Sequence, residues 1–210
     1  MDTGSQGILP GGGRRRRPAG YDADNRRTNR VGTRLNCDDT GNLILQGTTS
    51  YSRNERNQLG ANSRRAASYG HDAAGSRRSR TVSGVSLQTL YDGWNAVQLK
   101  QAGAAVESRL FGLGLDEIHG RTNSSNSQSY LTDALGSVLS LGNSDQTAHA
   151  DYTCGAYGET TETPPGASSN LIKYTGREQD MAGVYYYRNR LYSPVADRFL
   201  SEDPIGSAGG

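Results

Sequence analysis

The sequence predicts an all-β fold of antiparallel hairpin repeats, and three observations predict it. Turn-forming residues recur at short, regular intervals from residue 21 onward. The stretches between them alternate or run apolar, as in Asn42-Leu43-Ile44-Leu45, which is the pattern of short strands. The composition suits a thin sheet with one wet face: 12 Tyr stand against 2 Phe and 1 Trp, and Tyr covers apolar surface while keeping a hydroxyl for water. The hydrophobic fraction is 33% and there are 28 Gly among 210 residues. So little core material fits a sheet that is part of something larger better than a self-contained globule.

Residues 1–20, MDTGSQGILPGGGRRRRPAG, carry a run of arginines, Arg14–Arg17, among Gly and Pro, and read as a disordered lead-in. A loose repeat begins at Tyr21. Its pattern is an aromatic or similar residue, then Asp, two variable residues, then Gly or Asn: Tyr21-Asp22-x-x-Asn25, Cys37-Asp38-x-x-Gly41 and His71-Asp72-x-x-Gly75. Weaker echoes stand at Tyr51-Ser52 and Tyr91-Asp92-Gly93. The lead positions 21, 37, 51, 71 and 91 lie 16, 14, 20 and 20 residues apart, which is hairpin spacing. An Asp opening a turn accepts a hydrogen bond from the backbone just after it, and a Gly three residues on takes positive φ at little steric cost. Asp22, Asp38, Gly41, Asp72 and Gly75 are therefore turn formers, not catalysts.

Leu87–Lys100, LQTLYDGWNAVQLK, reads as two strands around Asp92-Gly93, with Trp94 expected to pack. Residues 121–129, RTNSSNSQS, are polar and read as a loop. Tyr130–Leu141, YLTDALGSVLSL, repeats the turn device at Asp133 and Gly136. In Tyr152–Glu159, YTCGAYGE, the turn falls to Gly155 and Gly158, and residues 160–170, with Pro164-Pro165-Gly166, read as a loop. The densest aromatic stretch follows: YTGREQDMAGVYYYRNRLYSPVADRFLSEDPIG, residues 174–206, predicts two or three strands separated by tight turns.

Charge is uneven along the chain. Residues 1–110 carry 17 basic and 9 acidic side chains, or +8, whereas residues 111–210 carry 6 and 12, or −6. A basic half raises a polyanion partner, with Arg26/Arg27, Arg64/Arg65 and Arg77/Arg78/Arg80 as candidate contacts. Adjacent arginines in a strand face opposite ways, however, which disfavours nucleic acid and leaves a solvated strand face as the plainer reading. Cys37 and Cys154 have no metal-ligand partners at useful spacing, nor do His71, His119 and His149, so no metal or other cofactor is expected. The cysteines read as lone thiols, with a disulfide the alternative. No run of 18 apolar residues and no apolar signal segment is visible.

The repeats resemble the YD repeats of the RHS proteins, whose consensus is Tyr-Asp-x-x-Gly-x-Leu, with Cys37 and His71 where Tyr is usual and Asn25 where Gly is usual. Glu107–Ile118 resembles the family's usual passage into the RHS repeat-associated core, and Tyr130–Leu141, Tyr152–Glu159 and residues 174–206 resemble, in order, that core, departing from it at Cys154 and Gly155. The resemblance implies a lead-in at 1–20, degenerate YD repeats at 21–129 and the core domain at 130–210. It implies part of a spiral YD-repeat β-sheet shell that encapsulates a C-terminal toxin or effector, with the core as the plug closing one end. In such secreted or cell-surface bacterial toxins the partners are the rest of the shell and the effector polypeptide.

Many RHS proteins free their C-terminal domain by aspartyl autoproteolysis, and Asp203 of Asp203-Pro204-Ile205-Gly206 matches the first Asp of that pair. The second Asp and the cut site lie further on in the family, and this sequence stops at Gly210. Glu202, adjacent in a strand, would point the opposite way. No catalysis is therefore expected. A carbohydrate, stacked on exposed tyrosines, is the remaining alternative partner. An uncapped sheet edge also predicts self-association.

Overall fold

A computed structural model describes residues 20–23, 27–30, 32–63, 66–180 and 183–203. The lead-in expected over 1–20 lies outside them apart from Gly20, as do Asn25, Arg26, Arg64, Arg65 and the Pro204-Ile205-Gly206 end of the Asp-Pro motif.

Two antiparallel sheets make up the described chain. The first is an open wall of sixteen strands, each bonded to the one before and the one after it in sequence. Its first half comprises β1 (Gly20–Tyr21), β2 (Arg27–Arg30), β3 (Thr33–Cys37), β4 (Leu43–Gln46), β5 (Thr49–Arg53), β6 (Leu59–Asn62), β7 (Ala67–His71) and β8 (Arg77–Val82). Its second half comprises β9 (Val85–Asp92), β10 (Asn95–Gln101), β11 (Ala104–Phe111), β12 (Ile118–Asn123), β13 (Ser127–Thr132), β14 (Val138–Asn143), β15 (Ala148–Cys154) and β16 (Thr160–Thr163). The second sheet has four short strands in sequence order: β17 (Glu178–Gln179), β18 (Tyr185–Tyr187), β19 (Arg190–Ser193) and β20 (Arg198–Phe199).

A meander places alternate turns on opposite rims. On one rim several turns are four-residue devices. Asp38 Oδ1 accepts from the Asn42 backbone N–H at 2.9 Å, Asp72 Oδ1 from that of Ser76 at 2.9 Å, and Asp133 Oδ1 from those of Leu135 and Ser137 at 2.8 Å each. The fourth residue of each, Gly41, Gly75 and Gly136, sits at φ +79°, +89° and +79°, a backbone region open to Gly at no steric cost. Asn54–Asn57 is a copy of the same device that lacks both signature residues: Asn54 Oδ1 accepts from the N–H of Arg56 and of Gln58, and Asn57 takes φ +61°. Asp22 follows β1 and is exposed. On the other rim, Ser83-Gly84 and Ala102-Gly103 have positive φ at both positions, the tight two-residue hairpin that matches strand twist.

Three expectations are corrected. Residues 121–129 are not a loop: they complete β12 and open β13 around a turn at 124–126. Arg121 and Gln128 face inward and are buried, while Thr122, Ser127 and Ser129 face water, so a polar sequence still alternates as a strand. Of residues 160–170, Thr160–Thr163 form β16. Trp94 is not a core residue: it is 63% exposed on the two-residue turn Gly93-Trp94, with the Arg188 guanidinium over its ring at 5.9 Å.

The second sheet lies on the inner face of the wall. A first apolar cluster joins Leu35, Leu43, Tyr51 and Leu59 of the wall to Val184, Tyr186, Leu191 and Leu200 of the second sheet region. A second cluster joins Ile118, Val138, Leu141, Ala150 and Tyr152 to Ile172, on the segment leading into β17. Backbone bonds pin both ends: Leu43 N–H donates to Leu200 O at 2.7 Å, and Val138 N–H to Lys173 O at 3.0 Å.

Candidate functional site

Between the two apolar clusters the seam is ionic. β8 supplies Arg77 and Arg80, and β11 and β12 supply Glu107, Arg109 and Arg121. The second sheet brings Glu178, and Asp180 follows it directly. Every carboxylate bridges two guanidinium groups. Glu178 accepts from Arg109 Nη1 at 2.6 Å and from Arg77 Nη2. Asp180 accepts from Arg77 at 2.7 Å and Arg80 at 3.0 Å, and Glu107 from Arg109 at 2.6 Å and Arg121 at 3.1 Å. The row continues as hydrogen bonds along the wall, Arg121 Nε to Gln128 Oε1 at 2.8 Å and Gln128 Nε2 to Asn143 Oδ1 at 3.1 Å. Cross-strand register makes this possible, since Arg109 lies opposite Arg121, Arg121 opposite Gln128, and Gln128 opposite Asn143.

These groups are out of water: Arg77, Asp180 and Glu178 are 2%, 2% and 6% exposed. A buried charge is tolerated only when paired and hydrogen-bonded. Burial works against ionised Glu178, yet Arg109 and Arg77 outweigh it and hold its carboxyl down at about 2. Burial likewise works against charged Arg77 and Arg109, and the carboxylates beside them, Asp180 and Glu178 for Arg77, Glu178 and Glu107 for Arg109, raise both above the ordinary guanidinium value. The Tyr186 ring lies against the Arg77 guanidinium, 4.1 Å from its centroid, and its hydroxyl accepts from the Arg77 backbone N–H at 2.9 Å.

The chemistry available here is clamping. General acid–base work by paired carboxylates needs two of them sharing a proton, and in this centre an arginine stands between every pair. Among the described residues no group of three or more His, Cys, Asp and Glu side chains is arranged to hold a metal ion, and Cys37 and Cys154 are both free. A second clamp flanks the first: Asp116, at φ +61° in the β11–β12 connection, holds Arg177 at 2.8 Å and Arg188 at 2.7 Å. The aromatic residues of the C-terminal stretch pack on one another. Tyr187, Tyr192 and Phe199 form a trio with ring centroids 5.5–5.9 Å apart, and Tyr174 meets Tyr185 at 5.9 Å.

The turn residues named from sequence, Asp38/Gly41, Asp72/Gly75 and Asp133/Gly136, are strung along one rim and do not converge on a site. Asp203 Oδ2 stands 2.9 Å from Arg190 Nη2. Of the candidate polyanion contacts, Arg77 and Arg80 are buried in the seam, Arg27 reaches Asp197 at 3.5 Å, and Arg78 is half-exposed with Asp72 at 3.9 Å. Glu107, Arg109, Glu178 and Asp180 lie in stretches that resemble the family and Arg121 outside them, but the sequence alone gives none of the five a role. Their one trace in the sequence is the opposite net charge of the two halves, which the structure uses within the chain: Arg77 and Arg80 of the basic half meet Glu178 and Asp180 of the acidic half.

No family model matches the chain. The tRNA3(Ser)-specific nuclease WapA of Bacillus spizizenii is 27% identical over 187 residues, 84% of this chain and 8% of that protein. Toxin subunit YenC2 of Yersinia entomophaga is 49% identical over 39 residues, 19% of this chain and 4% of the subunit. The chain thus spans less than a tenth of the length of these curated relatives. Among solved structures, the Photorhabdus luminescens Tc holotoxin pore matches with a TM-score of 0.65 at 19% identity, over 80% of this chain and 9% of that one. TcdB2-TccC3-TEV matches at 0.61 and 19% identity, over 87% and 10%. At that identity the likeness speaks for the fold.

Proposed function

Since the chain belongs with the RHS/YD-repeat proteins, we propose that it is a non-catalytic wall segment with its closing element in place, part of a shell that encloses and presents a toxin or effector polypeptide. The observation that carries this reading is the seam. A second sheet is locked onto one face of a sixteen-stranded wall by seven buried ionic side chains, each carboxylate bridging two arginines. Such a clamp serves to hold a closure against a wall and offers no group for turnover. In this reading residues 21–129 are the repeats and 130–210 the core, and the wall runs through residue 130 without a break because both are built from the same hairpin unit. The partners are the rest of the shell and its cargo, acting outside the producing cell. Among the described residues no helix is long and apolar enough to cross a membrane.

Electron cryomicroscopy of the polypeptide made from the intact gene tests the shell: these strands are expected in the wall of a hollow particle, with residues 178–199 on its inner side. A particle without a lumen overturns the reading. Self-cleavage is tested separately by holding the purified chain for days at mildly acidic and neutral pH. It should stay one band; a discrete smaller product that disappears in Asp203→Asn would establish catalysis.

A further inference from the structure

We propose that the rim formed by the β9–β10, β11–β12, β13–β14 and β15–β16 turns is a docking surface for a basic amphipathic helix of a partner polypeptide. Each of these four turns presents large apolar side chains to water: Trp94, then Leu113 and Leu115, then Leu135, then Tyr157, all more than half exposed. Leu110 and Leu131, exposed on the strands that lead into two of the turns, extend the band. The same strands reach the opposite rim at Ser83-Gly84, Ala102-Gly103, Ser124–Asn126 and Ser144–Gln146. The earlier turns of the apolar rim are Asp38–Gly41, Asn54–Asn57 and Asp72–Gly75. None of these seven carries a large apolar residue. Scattered apolar residues on a surface need no explanation, whereas a continuous row confined to one rim marks an interaction site.

Charge selects the partner. Asp92, Glu117 and Glu159 are exposed in these turns, and no lysine or arginine stands in any of the four. Arg177 and Arg188 approach from the second sheet, but Asp116 holds both. A second copy of the band would set carboxylates against carboxylates, so the complementary surface is apolar and basic. Backbone chemistry selects a helix. Groups on the rim are closed within their own turns: Gly136 N–H donates to Asp133 O at 3.0 Å, Gly155 N–H to Glu159 O at 2.8 Å and Gly158 N–H to Gly155 O at 2.9 Å. An added strand would find no ladder there, whereas a helix satisfies its own backbone. Strand spacing sets the four turns along about 29 Å, the length of roughly 20 helical residues. Midway, a cleft of about 600 Å³ opens between the β11–β12 and β13–β14 turns, lined by Leu115, Ile118, Tyr130 and Leu135 with Glu117 and Asp133. It has the size and mixed lining to take apolar side chains of the helix while the carboxylates meet its basic flank.

The experiment is fluorescence anisotropy of the full chain with a fluorescein-labelled peptide of roughly 20 residues, leucine at every third or fourth position and lysine between. Saturable binding is expected, and the double variant Leu115→Ser/Leu135→Ser should weaken it about tenfold or more. Glu117→Lys, a change of charge on an exposed turn, should weaken it too, and carries the test should the leucine variant fail to fold. Val85→Ser, exposed on β9 at the opposite rim, should leave the affinity unchanged. No binding, equal binding of a counterpart peptide with glutamate in place of lysine, or an affinity indifferent to both rim variants overturns the proposal. Light scattering and phosphatidylcholine vesicles supply the remaining arms. A dimer of the chain that Leu115→Ser/Leu135→Ser separates, or vesicle binding that it abolishes, would overturn the proposal by giving the rim to a second copy or to a membrane.

Discussion

Glu178 Oε1 lies 2.6 Å from Arg109 Nη1, between residues 69 positions apart in the chain. That bond ties the first strand of the second sheet to the middle of the wall, and it is buried on both sides. It carries the first two predictions.

Truncating Glu178 should be severe. Glu178→Ala leaves Arg109 and Arg77 short of a counter-charge in a dry seam, and breaking a buried pair from one side costs about 3–5 kcal/mol. Arg78→Ala, half-exposed on the same wall, should cost less than about 0.5 kcal/mol. Urea denaturation followed by circular dichroism separates the two; equal midpoints would remove the seam as the source of cohesion.

Acid should loosen the chain through the same residue. The Glu178 carboxyl is held at about 2 in the fold against an ordinary value of 4.5. A depressed carboxyl stabilises fully above its unfolded value and loses that contribution as pH falls through the folded one. Its share, on the order of 3 kcal/mol, is thus intact above about pH 5 and disappears between there and about pH 2. Tm measured against pH should fall over this window, and the slope should flatten in Glu178→Gln. An unchanged slope in the variant would assign the acid sensitivity to other groups.

The turn device predicts a contrast between two kinds of glycine replacement. Gly136→Ala puts a Cβ on a residue at φ +79°, at a cost of about 1–2 kcal/mol. Gly84→Asn, at φ +83° with nothing within 4 Å of the added Cβ, should lie within about 0.5 kcal/mol of wild type, because Asn tolerates this region. Asp133→Ala removes the acceptor for two backbone N–H groups and should cost about 1–2 kcal/mol. Chemical denaturation of the three variants checks the order.

The buried arginines predict weak polyanion binding. Arg77, Arg80, Arg109 and Arg121 are engaged inside the seam and add nothing to a surface patch. The chain should leave heparin at low salt. Retention to high salt would place a basic surface elsewhere on the molecule.

Much of the wall is legible in the residues. The Asp-x-x-Gly turns can be read because their bonds close within four positions, as from Asp38 to Asn42, and a local bond leaves a local signature. Asn54–Asn57 escapes the pattern because Asn substitutes at both ends of the device. Residues 121–129 mislead because inward Arg121 and Gln128 look like loop residues until their partners Glu107 and Asn143 are known. Trp94 misleads in the opposite sense: large and apolar, it is placed by a two-residue turn that points it outward.

An all-β chain of hairpins, the position of most turns, and a distinct aromatic element at the C-terminal end all follow from the order of residues, since strand alternation and turn chemistry act over a few positions. The fate of the charges does not. Arg77 finds Asp180 across 103 positions and Glu178 across 101, and nothing nearby in the chain distinguishes these groups from solvated ones. Whether an arginine is a surface charge or half of a buried clamp depends on which face is covered, and that is settled only when the second sheet docks and excludes water from the seam.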